Sequence, residues 1–461
     1  MEREKLGSRL GFILLSAGCA IGVGNVWKFP YMVGQLGGGL FVLVYLLFLV
    51  IMGIPIMTME FSLGRASRKS PVLMYKSLEQ KGHKWHIHGY AALVGNVLLM
   101  MFYTVVTGWL VHYVIKMASG EFTGITPDTS VELFGKMTAN PWMQFLFVAI
   151  VVVVGVVVCM FGVKNSLEKV TKILMIVMLF LMLAVAVSCF FLDGTAEGLK
   201  FYFIPNFEYM AKENITIFDV ITGAMSQSFF TLSLGIGSMA IFGSYLGKER
   251  SLLGESVNVA VLDTFVAIVS GLIIFPACFT YNNGVVSSGP PLIFNVFPMV
   301  FENMPFGRVL GTIFFIFLSF AALSTIFAVF ENIIACIMEL TGWQRKKASI
   351  IVGASLLALS IPCILGWNLW SSFAPLGPGS NIMDLEDFIV SNLLLPIGSL
   401  VFVLFCTTKK GWGWDNFVEE ANQGKGLKIK KWMRVYCKYV LPVILSIFIV
   451  VNIVTCIIKF I

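Results

Sequence analysis

An apolar run long enough to enter a bilayer begins at Leu10, and in its middle the chain reads SAGCAIGVGNVWKFP over residues 16–30. Gly18, Gly22 and Gly24 are followed by a polar Asn25, a charged Lys28 and Pro30. Each glycine weakens a helix by about 1 kcal/mol relative to alanine, so this cluster predicts a break. At membrane depth a break strands carbonyl and N–H groups that lipid cannot satisfy. It survives only where it lines a cavity or holds a ligand. Freed carbonyls suit Na⁺, and half-helix N-termini suit a carboxylate. The competing reading is a kinked packing helix with small residues at a helix contact.

The run is one of many. Of 461 residues, 58% are hydrophobic and 12% charged, above the apolar share of a soluble domain. Repeated stretches of about 20 apolar residues make this an all-α integral membrane protein. Eleven spans are expected, at 10–38, 40–63, 88–118, 142–162, 166–191, 217–246, 255–281, 306–341, 348–365, 381–407 and 433–460. The charged start MEREKLGSRLG runs into the polar motif rather than a cleavage site, so no cleaved leader is expected. With a cytoplasmic N-terminus, 25 of the 32 Lys and Arg fall in inner segments, as the positive-inside rule requires. The chain is therefore expected in the plasma (inner) membrane as a multi-pass protein with its C-terminus outside. Its net charge of +7 reads as topology and not as nucleic-acid binding. Nine cysteines sit mostly in apolar runs without metal-ligand spacing and read as small hydrophobes.

Several connections carry their own signals. Residues 282–305 contain SSGPPLIFNVFP, apolar and proline-broken, which predicts a folded lid dipping toward the membrane. Residues 409–431, basic and amphipathic around GWGWDNF, are expected to lie on the anionic inner leaflet. His83, His86 and His88 flank Trp85 before the third span and read as an interfacial anchor more readily than as a metal site.

The sixth span repeats the pattern of the first. Thr231, Ser233, Gly235 and Gly237 cluster in SQSFFTLSLGIGS over residues 226–238. Paired interruptions five spans apart point to a transporter built from inverted repeats around a midplane site. The halves would be 10–191 and 217–407, with 433–460 extra, in one transporter domain over 1–461. Asp263, Ser324, Thr325 and Glu331 are further polar residues at membrane depth, and an intramembrane carboxylate marks a candidate functional site. The alternative for Asp263 is a structural hydrogen-bonding acid. No phosphate-binding loop, nucleophile–base constellation or aqueous catalytic domain points to an enzyme. The polar groups form a compact site, not the continuous charged lining of a channel.

GVGNVWKFP (22–30), GGGLFVLVYLLFLVIMGIPIMTMEFSLGR (37–65) and QSFFTLSLGIG (227–237) resemble the neurotransmitter:sodium symporter family from about Gly7 to the tenth span. The eleven-span count resembles its prokaryotic hydrophobic amino-acid branch, such as tyrosine and multi-hydrophobic amino acid transporters. The resemblance implies a LeuT-type fold, an inverted 5+5 repeat plus one helix, and sodium-coupled symport by alternating access. It also implies two sodium sites. The first would use the Ala20 carbonyl, the Asn25 side chain, Thr231 and Asp263; many relatives have Asn in place of Asp263. The second would use carbonyls of Gly18, Ile21 and Ala321 with hydroxyls of Ser324 and Thr325. All-oxygen donors suit a hard cation, and a nearly neutral second set suits Na⁺ over a divalent ion.

The same resemblance implies the substrate site. Amine-carrying relatives place Asp where this chain has Gly22, which leaves room here for a substrate carboxylate beside Gly24. Tyr103 would donate to that carboxylate, and carbonyls near Ala20, Phe230 and Thr231 would meet the amine. Leu99, Phe230, Ile236, Ile326 and Val329, with Ser233 at the edge, would line an apolar side-chain pocket for aliphatic and aromatic L-amino acids. Such pockets separate near neighbours by only ~1–3 kcal/mol. Chloride-dependent relatives carry Ser at the position of Ala267; the fixed charge of Asp263 implies that chloride is not required, and Asp263 is also a candidate for proton exchange. Lys28 with Asp387 would form an outer gate, where many relatives use Arg, and Phe230 with Tyr103 would close over the substrate. Arg3 with Glu339 would form an inner gate near Ser244 and Tyr245. Many relatives have Trp near Leu6, so the N-terminal seal departs from the pattern. The expected partners are sodium, a hydrophobic amino acid and lipid. The alternatives are an osmolyte or small amino-acid symporter, against which Leu99, Ile236 and Val329 argue, and a non-transporting amino-acid sensor on the same fold.

Overall fold

The first apolar run folds as two arms, Arg9–Ala20 and Gly24–Gln35, that meet at 55°. This computed structural model describes residues 6–282, 284, 286 and 289–460, with 456–460 as backbone alone. Among the described residues, nine further helices have the length and apolarity of a membrane span: Gly39–Ser67, Ile87–Ser119, Pro141–Met160, Val163–Cys189, Leu252–Tyr281, Gly307–Thr341, Arg345–Leu365, Ile382–Thr407 and Met433–Thr455. The remaining expected span, the sixth, is the pair Ile217–Thr231 and Ser238–Gly243, whose arms are each too short to cross alone. All eleven expected spans are therefore present, shifted by a few residues at their ends. We call the end of the bundle bearing Arg9 the N-terminal face and the other the opposite face.

The break in span 6 follows from its backbone. Ser233, Gly235 and Gly237 have φ of 50°, 94° and 71°, a region that only glycine enters without strain. A Cβ on Gly235 would also fall on the Leu395 carbonyl of span 10. The helix hydrogen bonds lost there are replaced by buried side chains. Glu60 of span 2 accepts from the Gly235 N–H at 2.6 Å and the Met239 N–H at 3.2 Å. Asn96 of span 3 donates to the Ile236 carbonyl at 2.8 Å and accepts from Ser238 at 3.2 Å. An unwound segment inside a membrane protein needs such replacements, because unpaired buried peptide groups are costly.

The connections pack inward. Leu292–Val296 and Phe297–Glu302 form the expected lid. Phe294 stacks on Phe134 at 5.3 Å and meets Trp109 and Tyr113 edge-on, so the lid's apolar face is buried against span 3 and the helix Pro127–Ala139. The amphipathic segment after span 10 departs from expectation. Its helix Trp414–Ala421 turns Trp414, Phe417 and Ala421 into the protein. Glu420 holds the buried Arg65 at 2.6 Å, so this segment docks on the end of span 2 instead of resting on lipid with its apolar side. The three histidines do not converge: His86 binds Glu79 at 2.6 Å and His88 binds the Tyr75 hydroxyl at 2.9 Å. Trp85 donates to the Lys410 carbonyl at 2.9 Å. Among the described residues no cluster of three or more His, Cys, Asp or Glu could hold a metal, and eight cysteines are buried and free.

Candidate functional site

The two breaks lie side by side, and the polar groups freed in span 1 are shared among its neighbours. The Gly22 N–H donates to Asn25 Oδ1 at 3.2 Å and the Val23 N–H to the Tyr103 hydroxyl at 2.9 Å. The Cys19 carbonyl accepts from Ser233 at 3.2 Å and the Gly24 carbonyl from Gln227 at 3.1 Å. Both bonds tie one broken span to the other. A wide π-helical turn at Gly24–Lys28 restarts span 1, a feature that recurs at functional sites.

Two oxygen clusters flank this joint. In the first, Asn25 Nδ2 donates to Asp263 Oδ1 at 2.8 Å and to its carbonyl at 3.2 Å. The Thr231 hydroxyl lies 3.1 and 3.2 Å from the two Asp263 oxygens. Asn25, Thr231 and Asp263 are fully buried. One turn beyond Asp263, the buried Ala267 offers only a methyl group. In the second cluster the Ser324 hydroxyl reaches the carbonyls of Gly18 at 3.0 Å and Ala321 at 2.8 Å. The Thr325 hydroxyl reaches those of Gly18 and Ile21 at 3.2 Å and Ala321 at 3.5 Å. Both sets are hard oxygen donors with at most one carboxylate, the chemistry of a small monovalent cation.

Between the clusters lies a cavity lined by Cys19, Ala20, Gly22, Gly24, Leu99, Tyr103, Phe230, Ser233, Ile236, Thr325, Val390 and Leu395. Two glycines make its floor. A Cβ on Gly22 would fall on the Tyr103 hydroxyl and crowd Thr325, and one on Gly24 would meet the Phe230 ring at 2.6 Å. The Tyr103 hydroxyl accepts from Val23 and keeps its own proton to donate. The residues expected here divide. Ala20, Gly22, Gly24, Leu99, Tyr103, Phe230, Ser233 and Ile236 line the cavity, and Thr231 faces Asp263. Ile326 and Val329 are fully buried but are not among the lining residues. Ile326 instead faces Gly155 of span 4, because each residue along a helix turns about 100° and Ser324 and Thr325 already point at span 1. Cys19, Val390 and Leu395 are additions.

Phe230 roofs the cavity. Above it, toward the opposite face, a vestibule of about 300 Å³ is lined by Trp27, Lys28, Phe102, Asp384, Asp387 and the lid residue Pro290. Lys28 Nζ sits 4.0 Å from the Phe230 ring centroid, 3.2 Å from Asp387 Oδ2 and 3.2 Å from Ser391. The expected Lys28–Asp387 pair thus also caps the aromatic roof. Toward the N-terminal face, Gly7 and Ser8 bind Glu168 at 2.7 and 2.9 Å, and Arg9 pairs with Glu255 at 2.9 Å. Arg3 lies outside the described residues. Its expected partner Glu339 accepts from the Ser70 N–H at 2.9 Å and hydroxyl at 2.6 Å. The nearby Tyr245 hydroxyl donates to Glu331 at 2.5 Å. Glu331 in turn holds Arg345 at 2.6 and 3.0 Å, and it is therefore an ion-pair partner at the start of span 9.

Comparison with known proteins agrees with this architecture. The profile of the Sodium:neurotransmitter symporter family matches residues 3–124 and 125–459. An uncharacterized sodium-dependent transporter of Bacillus subtilis, YhdH, is 33% identical over 402 residues, 87% of each chain. Another, MJ1319 of Methanocaldococcus jannaschii, is 31% identical over 97% of this chain and 89% of its own. The crystal structure of MhsT in complex with L-phenylalanine superimposes with a TM-score of 0.87 at 34% identity, covering 97% of this chain and 99% of that one. Family members are transporters and not enzymes, and the fold is that of the LeuT type. The chain belongs to the sodium:neurotransmitter symporter family and is a multi-pass, sodium-dependent membrane transporter.

Proposed function

We propose that this protein couples Na⁺ entry to uptake of hydrophobic L-amino acids, aliphatic and aromatic, by alternating access between the repeats 10–191 and 217–407. The observation that carries the reading is the cavity at the joint of the two breaks. One wall offers the Tyr103 hydroxyl beside the backbone of Gly22 and Gly24, and most of the remainder is apolar. A carboxylate fits against the glycines, an ammonium against carbonyls of span 1 and span 6, and a hydrocarbon side chain against Leu99, Phe230 and Ile236. The solved relative MhsT was crystallised with L-phenylalanine, which supports an apolar substrate.

One Na⁺ sits at Ala20, Asn25, Thr231 and Asp263, and a second at Gly18, Ile21, Ala321, Ser324 and Thr325. The Asp263 carboxylate balances the first ion's charge, and Ala267 provides no anion ligand, so chloride is not needed. The N-terminal face is cytoplasmic and Lys28–Asp387 closes the external side of a plasma-membrane carrier. Uptake of radiolabelled leucine, tyrosine and glycine into proteoliposomes tests this, with an inward Na⁺ gradient against a K⁺ control. Leucine and tyrosine should accumulate above equilibrium only with Na⁺, and equally with gluconate in place of chloride. Uptake of glycine alone would overturn the pocket assignment, a steep loss without chloride would overturn the role given to Asp263, and Na⁺-dependent binding without accumulation would make the protein a sensor.

A further inference from the structure

On the outside of the bundle, toward the N-terminal face, spans 3, 8 and 9 part to leave a crevice of about 270 Å³. Leu93 and Val97 of span 3, Ile333 and Ile337 of span 8, and Val352 and Leu356 of span 9 line it. Trp343, between spans 8 and 9, stands at its end. Thr341 and Ser355 bring the only hydroxyls to its walls. That of Thr341 is already bonded to the Ile337 carbonyl at 2.7 Å and the Trp343 N–H at 3.2 Å. The crevice opens sideways. Val94, Leu340, Ile350 and Leu359, each on or next to a lining residue, are 55%, 40%, 52% and 42% exposed. An exposed apolar surface of this kind on a spanning helix faces lipid, and a hollow in it calls for an apolar occupant.

Its length and its charge name that occupant. Ile333 and Thr341 both line it and lie eight residues apart on one helix, about 12 Å along the axis. One leaflet of a hydrocarbon core is about 15 Å deep, so the crevice is as long as one acyl chain's path through it. Trp343 stands where that core ends, the level tryptophan favours. Positive charge gathers at the same end, because span 9 opens on Arg345, Lys346 and Lys347. Arg345 is taken up by Glu331. Lys346 and Lys347 are exposed, and neither forms an ion pair among the described residues. Lys347 Nζ rests 4.6 Å from the Trp343 ring centroid, which puts its charge at the end of the crevice. Glu339, the acid two residues before Thr341, is about 200° away around the helix and binds Ser70 instead.

We propose that this crevice seats one acyl chain of an anionic phospholipid, with the headgroup phosphate held by Lys346 and Lys347. Basic clusters at the ends of spans attract such headgroups, and the apolar walls give the chain a fixed place. Native mass spectrometry of the delipidated full chain tests this by counting bound molecules. Phosphatidylglycerol, phosphatidylcholine and glycerol 3-phosphate are titrated separately. The first phosphatidylglycerol should bind more tightly than phosphatidylcholine, and glycerol 3-phosphate, a headgroup without chains, should not bind. K346Q/K347Q changes two exposed side chains and should weaken phosphatidylglycerol about thirtyfold, at about fivefold per interfacial lysine, while leaving phosphatidylcholine unchanged. Ser355→Phe, exposed on the crevice wall, fills the space and should remove the first bound lipid of either kind. The glycerol 3-phosphate titration and the lysine pair keep the test decisive if that variant does not fold. Equal affinity for the two lipids, or phosphatidylglycerol binding indifferent to the lysine pair, would overturn the choice of an anionic lipid. Binding unchanged by Ser355→Phe, or matched by glycerol 3-phosphate, would overturn the seat of the chain.

Discussion

The two oxygen clusters differ in how they are built. The first draws Asn25, Thr231 and Asp263 from three spans, two of them broken. It holds a carboxyl group and adjoins the cavity at Gly22, whose N–H donates to Asn25. The second draws both side chains from span 8 and sets them on carbonyls of span 1. It holds no charge and senses chiefly where span 1 stands against span 8. On the proposed function, a charged, three-way site would tie ion binding to the substrate and to both breaks. A neutral, two-way site would tie it to a single contact between spans 1 and 8.

The sharpest way to break this comparison is Asp263→Ala. It removes the only carboxylate and leaves Asn25 and Thr231 without their partner. Hydrogen bonds to a charged group contribute ~1.5–3 kcal/mol each, so losing two weakens Na⁺-dependent substrate binding by roughly a hundredfold or more. Equilibrium binding of labelled leucine across a Na⁺ titration checks this. A modest effect would mean that Asp263 is a structural acid. Asp263→Asn, which keeps the shape and loses the charge, should fall between the variant and the parent.

A smaller loss is expected at the neutral site. Thr325→Val keeps the volume and removes a hydroxyl that spans the Gly18 and Ile21 carbonyls. A neutral hydrogen bond nets ~0.5–1.5 kcal/mol, so the half-saturating Na⁺ concentration should rise roughly three- to tenfold in proteoliposome uptake, with the leucine affinity at saturating Na⁺ little changed. Equal damage to both parameters would show that the two clusters do not divide their work as proposed.

Much of this was legible in the sequence because the signals were local. Glycines and hydroxyls inside apolar runs marked both breaks, and Asp263, Ser324 and Thr325 stood out as polar residues at membrane depth. What escaped depends on tertiary contact. Glu60 lies within a motif that carried the resemblance, and a lone carboxylate between Met59 and Phe61 was a signal in itself. Its task of holding the Gly235 and Met239 N–H groups becomes visible only when span 2 meets span 6. Gln227 likewise gains meaning from the Gly24 carbonyl. Val390 and Leu395 had no signal at all, since two apolar residues in an apolar helix do not announce which face meets a cavity. The segment 409–431 was misplaced because its amphipathic face fits a protein surface as well as a membrane.

The smallest effect expected is also the finest probe of the neutral site. The Ser324 hydroxyl bonds the Ala321 carbonyl of its own helix at 2.8 Å, a contact that holds nothing between spans, and touches span 1 only at Gly18. Thr325 touches span 1 at two carbonyls, one on each side of Cys19 and Ala20. Ser324→Ala should therefore raise the half-saturating Na⁺ concentration about twofold, less than Thr325→Val, since part of that hydroxyl's bonding is satisfied locally at little net gain. If Ser324→Ala proved the more damaging, the ion's weight would rest on Gly18 instead of on the bridge between Gly18 and Ile21. The second site would then be read as a latch on the arm Arg9–Ala20 alone, and not as a clamp across the break.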